Sequence, residues 1–93
     1  MGYYAVIYEL IDDYLERRTA LREEHLKLAA QWHARGELVL AGAFAEPPDR
    51  ALLIFRAEHP SLPEMFVHAD PYVIHGLVKS WKVRPWTVVI GNQ

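Results

Sequence analysis

Apolar positions along the chain fall into short runs of strand character, separated by two stretches with a helical period. Tyr3-Tyr4-Ala5-Val6-Ile7-Tyr8-Glu9-Leu10 is aromatic and β-branched at both parities, the pattern of a strand covered on both faces, and predicts a central strand. Ile11-Asp12-Asp13 interrupts it. From Tyr14 to Arg35 the residues turn to Leu, Ala, Glu, Lys and Arg, which predict one helix ended by Gly36 as its C′ residue. Residues 37–45 and 51–57 read as the second and third strands, a hairpin joined by the turn-forming Glu46-Pro47-Pro48-Asp49-Arg50. Ser61-Leu62-Pro63-Glu64 has the form of a capping box, with Ser61 as N-cap of a second helix that carries Met65, Phe66 and Ala69 inward. Pro71 fixes its own φ and extends the residue before it, so Asp70 is the natural N-cap of a short helical turn that Gly76 ends. Residues 78–90 alternate at first and then run continuously apolar, a last strand in which Pro85 demands a bulge, a bend or an edge.

The order β-α-β-β-α-β predicts an α+β, ferredoxin-like domain: a four-stranded antiparallel sheet with two helices on one face. Strands apolar at both parities leave the other face in need of cover. We therefore expect a homodimer, a dimeric α/β barrel-type assembly with the second strand and the segment Trp81 to Trp86 at its interface. The 93 residues make a single domain, 1–93, small enough to bury only about two-thirds of its unfolded surface, which a partner subunit would improve. A hydrophobic content of 52%, with three Trp and five Tyr, argues against disorder.

A formal charge of −2 and no basic run longer than Arg17-Arg18 count against nucleic acid as a partner. No apolar run approaches the roughly 20 residues that span a bilayer, and the N-terminus opens into a strand rather than a signal peptide. The expectation is a cytoplasmic protein without a membrane segment. With no cysteine, thiolate nucleophiles, disulfides and Cys-based zinc sites are excluded.

The chemistry concentrates in two places. At 100° per residue Leu21, His25, Leu28 and Trp32 share a stripe about 60° wide, which points His25 at the sheet, whereas His33 falls off it and is expected to be solvated. A buried imidazole needs a hydrogen-bond partner, and a core histidine satisfied by a backbone carbonyl answers that need as well as a catalytic one. The second place is His68-Ala69-Asp70-Pro71-Tyr72, with a carboxylate at a backbone turn. Gly42, inside a strand, invites a bulge or the close approach of a ligand, or is simply a small residue under the helix. Tyr72, Trp32, Phe44 and Trp81 are aromatics that line either a pocket or the core.

Arg22-x-x-His25-Leu26, Gly36-Glu37-Leu38 with Ala41-Gly42, Ser61-x-x-Glu64, Asp70-Pro71-Tyr72, Gly76-Leu77 and Arg84-Pro85-Trp86 resemble, in order and spacing, the YCII-related (YciI-like) proteins. The resemblance runs through nearly the whole chain. It implies a catalytic dyad of the first-helix His and the Asp of the DP motif, here His25 and Asp70. Ala43 departs from the pattern, standing where many relatives carry proline after the glycine. A related domain linked to dehydrochlorination of a chlorinated aromatic ring points to small organic substrates.

A carboxylate bonded to one imidazole nitrogen fixes the tautomer and leaves the other nitrogen to take or give a proton near neutral pH. That suits elimination, isomerisation or hydrolysis of a small molecule, with Arg22, Gly42 and Tyr72 as substrate-binding residues and Arg22 at the rim for an anionic group. The same residues allow a non-catalytic module, in which His25 and Asp70 merely fix one helix against the other. Metal binding by His25 and Asp70 with His68 or His75 lacks the i, i+4 histidine spacing of a prepared site, so no metal is expected. With no nucleophile elbow, Walker loop or dinucleotide fingerprint, no cofactor is expected either.

Overall fold

The computed structural model describes residues 1–91. Its elements are β1 (Gly2–Leu10), α1 (Tyr14–Arg17), a 3₁₀ turn (Arg18–Ala20), α2 (Arg22–Ala34), β2 (Leu38–Ala43), β3 (Arg50–Ala57), α3 (Ser61–Ala69), α4 (Pro71–Ile74) and β4 (Val78–Trp86). The strands form one sheet in the order β2-β3-β1-β4, every neighbour antiparallel. This is the expected β-α-β-β-α-β arrangement with β1 inside the sheet. No helix among the described residues is long and apolar enough to cross a membrane.

Strand parity sorts the two faces. Val6, Tyr8 and Leu10 of β1 and Leu53, Phe55 and Ala57 of β3 are buried against the helices. Phe55 meets Trp32 of α2 and Phe66 of α3 edge-on, with centroids 6.0 and 5.3 Å away, and Trp32 meets Phe66 at 5.3 Å. Such tilted aromatic contacts add to the burial of the rings themselves.

Several local expectations are corrected. The helix expected over 14–35 is divided, because its two parts have different anchors. Tyr14 is buried edge-on to Tyr72 at 5.7 Å and Arg17 donates to the His75 carbonyl at 3.2 Å, so α1 is tied to α4. The 3₁₀ turn lets α2 keep its own stripe, on which Leu21, His25, Leu28 and Ala29 are half-buried and Trp32 is buried. Gly36 ends α2 at φ +80° and Gly76 ends α4 at φ +79°, as their positions required. His33, expected to be merely solvated, pairs its Nδ1 with the Leu38 carbonyl at 2.8 Å and fastens α2 to β2.

The capping box does not form. Ser61 is already inside α3, and its N–H donates to His59 Nδ1 at 3.1 Å, so the imidazole does the work expected of the serine hydroxyl. On α3 the buried residues are Pro63, Phe66 and Val67, while Met65 is 61% exposed and Ala69 also faces out. The inward row runs 63, 66, 67, 70, which leads straight to Asp70. The bulge of β2 lies between Leu38 and Leu40 rather than at Gly42, which pairs regularly with Leu52. β4 stops at Trp86, short of residue 90, and Pro85 pairs with Tyr4 on this edge strand, where a missing N–H is tolerated.

The corrected face of α3 is testable. Phe66→Ala should cost about 3–5 kcal/mol in urea unfolding, as for a fully buried aromatic, and Met65→Ala less than about 0.5 kcal/mol.

Candidate active site

The site begins with one backbone constraint. Asp70 is held extended at φ −70° and ψ 120° ahead of Pro71, and its Oδ1 accepts the Tyr72 N–H at 3.0 Å, the N-cap bond of α4. The same Oδ1 lies 2.8 Å from His25 Nδ1, and Oδ2 accepts the Tyr8 hydroxyl at 2.8 Å. One carboxylate, fully buried at 0% exposure, thus joins α2, α4 and the central strand. Both carboxylate oxygens accept from these partners, so His25 Nδ1 carries the hydrogen and Nε2 has no hydrogen-bond partner among the described residues.

Tyr72 follows the cap, and its ring lies flat on the His25 ring with centroids 3.8 Å apart and planes 6° from parallel. The imidazole is therefore fixed by a bond in its plane and a ring on its face. Its side chain is 15% exposed, whereas Asp70 is sealed. Burial, then the charge of Asp70 and the hydrogen bond to it, push the Tyr8 hydroxyl far above the usual phenol range and keep it a donor. Tyr72 is also pushed up, by burial first and by Tyr14, against the opposing pull of Arg22 and Arg18.

His25 opens on a cavity of about 220 Å³ between α2 and the β2–β3 end of the sheet. The space exists because its walls are small: Ala29 on α2, Ala41, Gly42 and Ala43 on β2, and Ala51 on β3. A Cβ at Gly42 would meet nothing within 4 Å, so close backbone approach is not what glycine serves there. Arg22 is exposed and lines the cavity from the first turn of α2, with Arg18 beside it. Of the aromatics considered, Tyr72 lines the cavity; Phe44, Trp32 and Trp81 do not, Trp32 being core and Trp81 meeting His68 edge-on at 5.5 Å. Leu10, Leu26 and Leu53 add apolar lining, and Tyr8, Tyr14 and Arg18 line it too, three residues that the sequence pattern did not single out for the site. Their only sequence signal is inward parity for Tyr8 and the α2 stripe continued backwards for the other two. Among the described residues no cluster of three His, Cys, Asp or Glu side chains is placed to hold a metal ion, so the alternative set with His68 or His75 is not assembled.

Fold and site together define a ferredoxin-like α+β domain with a buried carboxylate–imidazole pair on the wall of a small cavity. The chain belongs to the YCII-related domain family, whose model matches residues 1–87. Among solved structures it is similar to 5-chloro-2-hydroxyhydroquinone dehydrochlorinase (TftG) from Burkholderia phenoliruptrix AC1100 in complex with 2,5-dihydroxybenzoquinone. That match has a TM-score of 0.77 and 19% identity over 91% of this chain and 93% of that one. It is also similar to protein Atu4242 from Agrobacterium tumefaciens, with a TM-score of 0.63 and 16% identity over 97% and 95% of the two chains. No curated protein matches the sequence.

The three-donor arrangement makes two predictions. Asp70→Ala, which strands three donors at once, should destabilise the protein by at least about 3 kcal/mol. Because the folded-state pKa of Tyr8 lies above its unfolded value, its contribution is complete below pH of about 10 and is lost as the pH rises further. Urea unfolding should accordingly show stability falling above that pH, by up to about 1.4 kcal/mol per pH unit from this group, and Tyr8→Phe should flatten the slope.

Proposed function

We propose that the protein is a small-molecule enzyme in which His25 and Asp70 act as a general acid–base pair. The observation that carries this reading is the 2.8 Å bond from Nδ1 of a fixed imidazole to a sealed carboxylate, with the ring itself on a cavity wall. Asp70 holds the tautomer and balances the charge when Nε2 takes a proton. In an elimination Nε2 removes a C–H proton, the C–H pair becomes the new π bond, and the leaving group departs with its own electron pair. In an isomerisation the proton returns at a second atom, and in a hydrolysis it comes from the attacking water. Arg22 at the rim, Gly42 on the β2 wall and Tyr72 beside His25 are the substrate-binding residues. The likeness of fold to a dehydrochlorinase crystallised with a dihydroxybenzoquinone supports the choice of small organic substrates.

A second reading has its own observation. Asp70 is 0% exposed and caps α4, as a purely structural aspartate would. Turnover separates the two. Loss of carbon-bound deuterium to water, followed by NMR across small enolisable acids and hydroxylated aromatics, should reveal a substrate. His25→Ala should lower that rate about 10²–10⁴-fold and leave a folded protein. Equal rates in wild type and variant, or no exchange with any compound, would leave the structural reading.

The proposed enzyme is a homodimer. On the face away from the helices Ala5, Ile7, Leu52, Ile54, Pro85 and Trp86, with Arg84 among them, line a mostly apolar depression, and Leu40 beside them is 69% exposed. A second sheet laid on this face would cover it, in the manner of a dimeric α/β barrel. Sedimentation at micromolar concentration should give a dimer, and Trp86→Glu should weaken association by about 100-fold or more.

A further inference from the structure

Besides His25, the cavity is lined by alanine and leucine side chains and by donor-bearing residues that include Arg18, Arg22 and Tyr72. Arg18 and Arg22 both line it, and neither forms a salt bridge among the described residues. Arg18 lies over the Tyr14 ring, its guanidinium carbon 5.4 Å from the centroid, a cation–π contact and not an ion pair. Tyr72, 2% exposed, lines the same cavity; its buried hydroxyl makes no hydrogen bond of good geometry among the described residues and feels the positive charge of both Arg22 and Arg18. A hydroxyl without a partner is costly in a protein interior, and one beside two unpaired guanidinium groups is matched by a negative oxygen. No acidic side chain lines the cavity; Asp70 lies behind His25, with both its oxygens already engaged. The opposite walls are methyl and methylene groups from Ala29, Ala51 and Leu53.

We infer that this cavity recognises a small organic anion whose charge sits on oxygen, a carboxylate or phenolate, paired with Arg18 and Arg22 and hydrogen-bonded to the Tyr72 hydroxyl, with an apolar ring against the alanine wall. This rests on reading the cavity beside His25 as a substrate pocket. A volume of about 220 Å³ lies below the range of drug-sized sites and limits the occupant to about one substituted ring. The anion end and the base are separate groups of one pocket: Arg18, Arg22 and Tyr72 hold the ligand, and His25 exchanges the proton.

The test titrates the full chain with benzoate and with 4-nitrophenolate, each against a neutral counterpart, benzamide and nitrobenzene, by amide chemical-shift perturbation. Both anions should shift signals at the start of α2 and around Tyr72, and bind about tenfold or more tightly than the neutral compounds. Benzoate binding alone assigns the anion as a carboxylate, and 4-nitrophenolate binding alone as a phenolate. Arg18→Gln and Arg22→Gln should each weaken anion binding by about tenfold and leave benzamide unaffected. Tyr72→Phe should weaken it severalfold, without loss of thermal stability, because it removes an unpaired hydroxyl. Benzamide and nitrobenzene binding as tightly as the anions would overturn the inference, as would full anion affinity in the Arg18→Gln/Arg22→Gln double variant or no binding of either anion at millimolar concentration. His25→Gln separates this from the acid–base reading: turnover lost with anion binding kept fits both, turnover kept overturns the acid–base reading alone, and anion binding lost with the fold intact overturns the inference.

Discussion

Everything in this structure that bears on chemistry depends on one buried carboxylate. Removing a carboxylate from water is costly unless donors replace its hydration, and Asp70 is supplied with three, from the phenol of Tyr8, the imidazole of His25 and the backbone of Tyr72. These come from β1, α2 and α4, which this one side chain ties together. The aspartate is therefore both a helix cap and the anchor of a titratable ring. The distinction between structural and catalytic roles, drawn sharply at the level of sequence, dissolves at the level of atoms: Asp70 is sealed, and His25 alone meets the cavity. In the proposed acid–base role, an imidazole so held needs little reorganisation when charge appears on it, because the compensating carboxylate is already in place.

How much of this was legible follows from the range of each interaction. Asp70 as a cap was readable because Pro71 imposes the backbone on its neighbour and the cap bond spans only two residues. His25 was readable because helical phase alone aims it inward. That the two meet required a topology as well, and the β-α-β-β-α-β order supplied it by placing both helical segments on one face. The hidden partner was Tyr8, 62 positions from Asp70; parity turned it inward, and nothing in the local pattern said what its hydroxyl would find there. The break after Arg17 was hidden for the same reason, since residues 14–35 are uniform helix formers and the anchors that divide them lie on α4. On α3 the inward row was misjudged: Met65 and Ala69 are exposed, while Val67 is fully buried. Neighbouring hydrophobic residues on a short helix are told apart by phase, and the capping box suggested by Ser61 and Glu64 set that phase wrongly.

The sheet works as a partition. Its inner face carries the large residues that fix the helices, Tyr8, Phe55 and Leu53 among them, while its outer face carries Ala5, Ile7, Leu52 and Ile54 with basic residues at Lys82 and Arg84. The cavity lies where the inner face runs out of large side chains, toward the β2 edge. There Ala51 stands opposite Tyr8 on β3 and Ala43 opposite Ala51 on β2. The site is thus an interruption in the core packing beside α2, a helix braced near its C-terminal end by His33 on Leu38 and in its first turn by His25 on Asp70.

The alanine and glycine wall has an evolutionary consequence. Positions 29, 41, 42, 43 and 51 touch the cavity but take no part in the hydrogen bonds that fix His25. At positions 29, 41, 43 and 51 each extra methyl group subtracts directly from the cavity, whereas Gly42, paired with the outward-facing Leu52, would turn a side chain to the opposite face of the sheet. Under the proposed acid–base function, the size of the substrate admitted can therefore change by single small-residue exchanges that leave His25 and Asp70 untouched. A scaffold in which selectivity and reactivity sit on different elements is free to diversify the first without rebuilding the second.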